Sequence, residues 1–212
     1  MVLFMLKPLI LFTGPDASGK STLARLLKHY LERKGLKTKI VRLRGTHTIA
    51  YILMKIMRDI LKLHGNNLHY YGLMIPEKLI GFWAYIEMLS ILPLVINYYY
   101  LMRLKYAVVS ERSLVDVIVW VLSGVNDNAR LTLLHKQLKF LLLLAMRHQK
   151  KTFYIVADVY ELFLRKPSDK TLVLKMMPYY NAFAKYLELK TINTSRDKPQ
   201  KCLEALISWL HK

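Results

Sequence analysis

Gly14-Pro15-Asp16-Ala17-Ser18-Gly19-Lys20-Ser21 is the stretch that decides how this chain is read. It fulfils the pattern G-x-x-x-x-G-K-[ST], in which a glycine-rich loop wraps phosphate groups. The flanks agree with that reading. Val2–Leu6 and then Leu9-Ile10-Leu11-Phe12 make an apolar approach suited to a buried parallel strand. Leu23, Leu26, Leu27, Tyr30 and Leu31 recur at the spacing of one helix face. Strand, glycine loop and helix are what phosphate binding needs, because backbone N–H groups at a helix N-terminus point at the anion and the helix dipole favours negative charge. Residues 14–22 (Gly14, Pro15, Asp16, Ala17, Ser18, Gly19, Lys20, Ser21, Thr22) would cradle a nucleoside triphosphate. Lys20 would reach the β- and γ-phosphates, and the Ser21 hydroxyl would take a place on Mg²⁺.

The 212 residues suit a single domain (1–212) with a sizeable core, and the 54% hydrophobic content argues against disorder. Cys202, the single cysteine, allows no internal disulfide and no thiolate metal site. It sits among Leu203, Leu206, Ile207 and Leu210 and reads as a small buried apolar residue. This usage, with no evident signal peptide, points to a reducing, cytoplasmic setting. Leu79–Met102 carries one charge, Glu87, and one proline, Pro93; it is long enough for a membrane span, but a nucleotide-binding sheet needs covering helices, so we read it as a buried helix and expect no span. The formal charge of +19, from 33 basic and 14 acidic residues, favours anionic partners. The basic residues are scattered, without a run of five, which fits a phosphate-binding enzyme with solvated basic faces better than an obligate nucleic-acid binder.

Periodicity and punctuation give alternating elements. Strands are expected up to Phe12, over Lys37–Leu43, Tyr106–Ser110, Thr152–Ala157 and Leu189–Asn193. Helices are expected over Lys20–Lys34, Ile49–Leu63 (closed by Gly65-Asn66-Asn67), Glu77–Leu104 (one long helix or a pair broken near Pro93), Ser113–Leu122 with Ser113 as N-cap, Ala129–His148, Val159–Leu164, Thr171–Leu187 and Pro199–Leu210. Ser123–Asn128 and Arg165–Lys170 read as loops. Such alternation implies an α/β fold, a parallel sheet with helices on both faces and ligands at the carboxyl ends of the strands.

The loops at those ends carry the candidate chemistry. Arg42-Leu43-Arg44-Gly45-Thr46-His47 makes a second anion site, suited to an acceptor that is itself a phosphate. In Ser110-Glu111-Arg112-Ser113, Glu111 can hold Mg²⁺ and Arg112 can neutralise the transferring or accepting phosphate. Arg165-Lys166-Pro167-Ser168-Asp169-Lys170 has the size and charge of a small lid, with Arg165 as the late-arriving cation. Thr194-Ser195-Arg196-Asp197 stands where a nucleotide base would be bordered, and Phe82 and Trp83 are the aromatic candidates for stacking on an acceptor base.

In this order and spacing the chain resembles the thymidylate kinases, a family of P-loop nucleoside monophosphate kinases. The family's G-x-D-G-x-G-K-S-T loop is matched by Gly14 to Thr22, with Ala17 in place of a glycine. Arg42-Leu43-Arg44-Gly45-Thr46 looks like a shortened second-strand loop, Glu111-Arg112-Ser113 stands in the place of an Asp-Arg-Tyr motif, and Asn193-Thr194-Ser195-Arg196 follows the fifth strand. The resemblance implies a three-layer P-loop NTPase fold with a five-stranded parallel sheet in the order 2-3-1-4-5. It implies transfer of the ATP γ-phosphate to a nucleoside monophosphate, dTMP in the family, with Mg²⁺. Asp16 would lie at the acceptor's sugar or phosphate, Arg44 and Arg112 at its phosphate, Phe82 at its base, Arg196 beside adenine, and Arg165 over the transferring group. A homodimer through apolar helices, with Leu131–Met146 as a candidate, fits the family habit. Met88-Leu89-Ser90-Ile91-Leu92 is nearly all apolar and lacks the polar and charged residues with which family members read thymine. Deoxynucleoside kinases share the Glu-Arg-Ser motif but carry a carboxylate after strand 2, where this chain has arginines. Two further readings are a non-catalytic nucleotide switch, although no phosphate-loop or lid cation is lost, and a basic nucleic-acid- or membrane-associated ATPase.

Overall fold

Along β1 (Leu9–Thr13) every residue is buried, and the strand pleat sends its side chains alternately to two cores. Leu9 and Leu11 join one cluster with Val108 and Tyr154; Ile10 and Phe12 join another with Val109, Phe153 and Ile155. A strand apolar on both faces belongs in the middle of a covered parallel sheet, and β1 lies there. The structure, a computed structural model, describes residues 6–44, 49–62, 75, 79–125 and 128–210.

Five parallel strands pair in the order β2-β3-β1-β4-β5, with β2 at Thr38–Val41, β3 at Ala107–Ser110, β4 at Thr152–Val156 and β5 at Lys190–Asn193. Register is set by Ile10 opposite Val109 and Phe12 opposite Phe153. One face carries α1 (Lys20–Arg33) and α8 (Pro199–Leu210), which bring Leu23, Leu27, Cys202 and Leu206 to the core. The other carries α3 (Ile80–Ile96), α4 (Leu114–Gly124), α5 (Asn128–Arg147) and α7 (Lys170–Tyr186), while α2 (Ile49–Asp59) packs on α3. This is the three-layer P-loop NTPase fold.

Several boundaries differ from the sequence reading. Pro93 does not break α3: the helix runs through it and then widens into a π-helical stretch at Asn97–Leu101 and a 3₁₀ turn at Met102–Leu104. Ile80–Leu104 is, among the described residues, the stretch long and apolar enough to cross a bilayer; here it lays Ala84, Met88, Ile91, Val95 and Tyr99 into the core. The expected polar loop 165–170 is a corner instead. Arg165 ends α6 (Val159–Arg165), Pro167–Asp169 form a single 3₁₀ turn, and Lys170 starts α7. Gly65-Asn66-Asn67, Glu77, Gly45-Thr46-His47 and the middle of the expected loop 123–128 lie outside the described residues.

Candidate active site

The glycine loop joins β1 to α1 in a backbone path that fixes its sequence. Gly14 has φ +139°, and a Cβ there would sit 2.1 Å from the Ile155 carbonyl oxygen, so only glycine fits. Ala17 has φ 63°, the left-handed region, where a side chain costs about 1–2 kcal/mol. Its methyl packs beside Leu162 and Val173, which offsets part of that cost. Lys20 folds back into the loop: its Nζ donates to the Gly14 carbonyl at 2.8 Å, to the Pro15 carbonyl and to Ser18 Oγ at 3.1 Å. Only 6% of Lys20 is exposed. Burial, reinforced by the Arg112 charge and resisted by Asp116 and Asp16, brings its pKa down to about 7.

Arg112 is the hub of the site. It follows β3 and is 9% exposed. Its guanidinium pairs with Asp16 in the glycine loop and with Asp116 at 2.9 Å, and reaches Tyr180 Oη at 3.3 Å. Tyr180 in turn donates to Asp116 Oδ1 at 3.0 Å. Burial disfavours the Arg112 charge, but Tyr180, Asp116 and Asp16 outweigh it and hold the guanidinium firmly protonated. Burial also works against the Asp16 carboxylate, and Arg112, with Lys20, Lys166 and Arg44, overrides it to hold the pKa at about 2. Two carboxylates therefore fix one cation at the junction of loop and sheet, with its geometry set on both sides. Ser113, read as an N-cap, accepts from the Val115 N–H at 3.1 Å, and Asp116 closes the capping box, so α4 starts at a fixed place behind Arg112.

Two cavities meet at this hub. The first follows the glycine loop: residues 16–23 line it with Arg42, Glu111, Arg165, Lys166 and Thr194. The second runs under it between α3, α4 and α7, with Arg44, Glu87, Trp120, Asp169 and Tyr180 set among Leu43, Ile91, Val117, Val121 and Met176. Asp16 and Arg112 line both. Arg42 and Arg44, adjacent in the sequence reading as one anion site, are divided between the two cavities.

Arg165 reaches over the glycine loop, donating to the Ala17 carbonyl at 3.3 Å and to Thr194 Oγ1 at 3.0 Å. Lys166 stands 3.8 Å from Asp16 and 2.6 Å from Asp169. Thus most of the residues singled out from sequence converge: Asp16 to Thr22, Arg44, Glu111, Arg112 and Arg165. Phe82 and Arg196 do not. Phe82 is 63% exposed on α3 and lines neither cavity, and Trp83 is buried against Met54 and Ile75. Arg196 is exposed, and it is Asp197, Pro199 and Cys202 that border the first cavity. The sequence reading missed Glu87, Trp120, Tyr180 and Asp116 as cavity residues. Glu87 left a signal, being the lone charge in an apolar stretch; the others come from helices distant in sequence.

Among the described residues no three His, Cys, Asp or Glu side chains group to hold a metal ion. Ser21 and Glu111 do line the phosphate cavity, and this sparse oxygen set suits Mg²⁺, which keeps water and substrate phosphates as most of its ligands.

No protein-family model matches this chain, and no curated protein matches it. Solved structures do. Thymidylate kinase from Candida albicans superposes with a TM-score of 0.66 at 15% identity, over 97% of this chain and 92% of that one. Thymidylate kinase from Ehrlichia chaffeensis gives 0.56 at 18% identity, over 98% and 100%. Deoxyadenosine kinase from M. mycoides, with bound dCTP, gives 0.55 at 12% identity, over 96% and 98%. At these identities the likeness is one of fold.

Proposed function

We propose that this chain is a nucleoside monophosphate kinase that moves the γ-phosphoryl group of Mg-ATP to dTMP, giving dTDP and ADP. The observation that carries this reading is the meeting of a phosphate-loop cavity and an apolar-walled cavity at one shared pair, Asp16 and Arg112. A donor triphosphate in the first and a monophosphate in the second would place their phosphates at the same guanidinium. The acceptor phosphate oxygen attacks the γ-phosphorus, the bond from that phosphorus to the β–γ bridging oxygen breaks, and ADP leaves. Such a transfer needs positioning and charge neutralisation more than covalent chemistry. Lys20 lies under the donor phosphates, Arg42 beside them, Arg44 and Arg112 on the acceptor phosphate. The 165–170 corner acts as the lid that brings Arg165 and Lys166 over the transferring group. Ser21 and Glu111 would hold Mg²⁺, which would neutralise charge on the donor phosphates. Where the two cavities meet, the carboxylates Asp16 and Asp116 are both engaged by Arg112, which favours a phosphate acceptor over a hydroxyl one.

The division of the two arginines gives the test. Arg44→Ala is expected to raise the KM for dTMP at least tenfold with little change in the KM for ATP, and Arg42→Ala the reverse. Equal effects of either variant on both substrates would contradict the assignment of the cavities.

A further inference from the structure

Glu87 is the single charged residue of Leu79–Met102 and is 5% exposed, yet it faces a cavity rather than a partner of opposite charge. Its surroundings there are Ile91 one turn along α3, Val117, Trp120 and Val121 of α4, and Met176 of α7. Trp120 Nε1 donates to Glu87 Oε2 at 3.2 Å. One indole N–H uses a fraction of a carboxyl's capacity; in the neutral acid an O–H and a second lone pair on the carbonyl oxygen remain. A ligand group filling this cavity would have to satisfy them, because an unmet buried polar atom is costly. We propose that Glu87, as the neutral acid, reads the base of the acceptor, donating its O–H to a base carbonyl and accepting the adjoining imide N–H. A dioxopyrimidine, whose imide N–H stands next to a carbonyl, meets both. The inference rests on the monophosphate kinase reading given above.

The electrostatics agree. Burial pushes the Glu87 carboxyl up to about 7; Trp83 and Trp120 oppose the shift, Trp83 without completing a hydrogen bond. Asp16 of the glycine loop, Arg44 after β2, Arg112 and Asp116 at the start of α4, and Asp169 and Tyr180 on the α7 side share the cavity, and none of them shifts Glu87. Neither do Lys55 and Arg58 of α2 or His135, Lys136 and Lys139 of α5, the helices packed on α3. The acid form therefore holds below neutrality and the carboxylate takes over above it. A carboxylate only accepts. It would lose its bond to the base carbonyl and set two like partial charges together. An aminopyrimidine pairs through the same two points, its ring nitrogen accepting the O–H and its amino group donating, so it pays the same penalty. A glutamine presents the same donor–acceptor pair at every pH.

The test is calorimetric titration of the full chain with dTMP from pH 6 to 9, for wild type, Glu87→Gln and Glu87→Ala, with transfer from ATP measured alongside. For wild type relative to Glu87→Gln, the Kd for dTMP is expected to rise at least tenfold between pH 6.5 and 8.5. Glu87→Gln should bind dTMP within threefold of wild type at pH 6.5, and Glu87→Ala at least tenfold more weakly. A Glu87→Gln profile parallel to wild type, or Glu87→Ala binding dTMP as wild type does, would overturn the inference. Transfer without any effect of Glu87 removes this inference alone. Glu87-dependent dTMP binding without transfer removes the kinase reading alone, and no dTMP binding at any pH removes both. Because Glu87→Gln keeps the shape of the side chain, the comparison survives even where Glu87→Ala fails to fold.

Discussion

Asp116→Ala should unfold the site from its hub. Asp116 closes the capping box of α4 by accepting the Ser113 N–H at 2.8 Å, pairs with Arg112 at 2.9 Å and accepts from Tyr180 at 3.0 Å. Removing one partner of a buried pair costs about 3–5 kcal/mol; the lower end applies, since Asp16 still holds Arg112. Loss of the cap adds about 1 kcal/mol. The expected loss is about 4 kcal/mol, and at about 2–4 °C per kcal/mol for a chain of this size the Tm falls by about 8–16 °C. Urea unfolding followed by circular dichroism, with calorimetry for Tm, measures it. Adding Arg112→Met to Asp116→Ala should cost less than the sum of the two single changes, because their shared ion pair is lost only once. A loss under about 1 kcal/mol for Asp116→Ala, or a double variant as unstable as the sum of its singles, would refute the hub.

Other expectations follow from the loop and its cover. Gly14→Ala drives a Cβ into the Ile155 carbonyl and should cost more than about 3 kcal/mol, whereas Gly35→Ala, with nothing within 4 Å but φ +81°, should cost only about 1 kcal/mol; similar Tm values for the two would contradict the close approach. Lys20 has a folded pKa of about 7 against 10.5 in the unfolded chain, so the unfolded state binds the extra proton between those values and stability rises with pH across that window. Lys20→Met should accordingly be more stable than wild type at pH 6–7, with the gap closing towards pH 10; a gap constant with pH would exclude the depressed ammonium. Arg165→Ala, which loses the bridge to Ala17 and Thr194, should lower kcat at least tenfold with a smaller effect on either KM, and an unchanged kcat would remove the lid role.

The glycine loop, the alternation of strands and helices, and the Ser113 cap were legible because each rests on local pattern: fixed spacing, period, and a capping side chain. The sheet order came from resemblance, since nothing local in a strand names its neighbour. Two failures are physical. Phe82 and Trp83 look equivalent in sequence, but a helix turns about 100° per residue, so one faces solvent and the other the Met54 cluster. The stretch Met88–Leu92 was read as nearly all apolar, while the polar groups of the second cavity arrive from Glu87 on the preceding residue and from Trp120, Asp116 and Tyr180 on α4 and α7. Contacts between elements far apart in sequence leave no periodic trace. Arg42 and Arg44 show the same limit: two residues apart at the end of a strand, they point into different cavities.

The most direct measurement is transfer of the γ-phosphoryl group from Mg-ATP labelled at that position to dTMP, for wild type and for Lys20→Ala, with the fold of each checked by circular dichroism. Labelled dTDP from wild type, and none above background from a folded Lys20→Ala, is the result expected. Absence of labelled product from wild type with any nucleoside monophosphate, or equal turnover by both proteins, would contradict it.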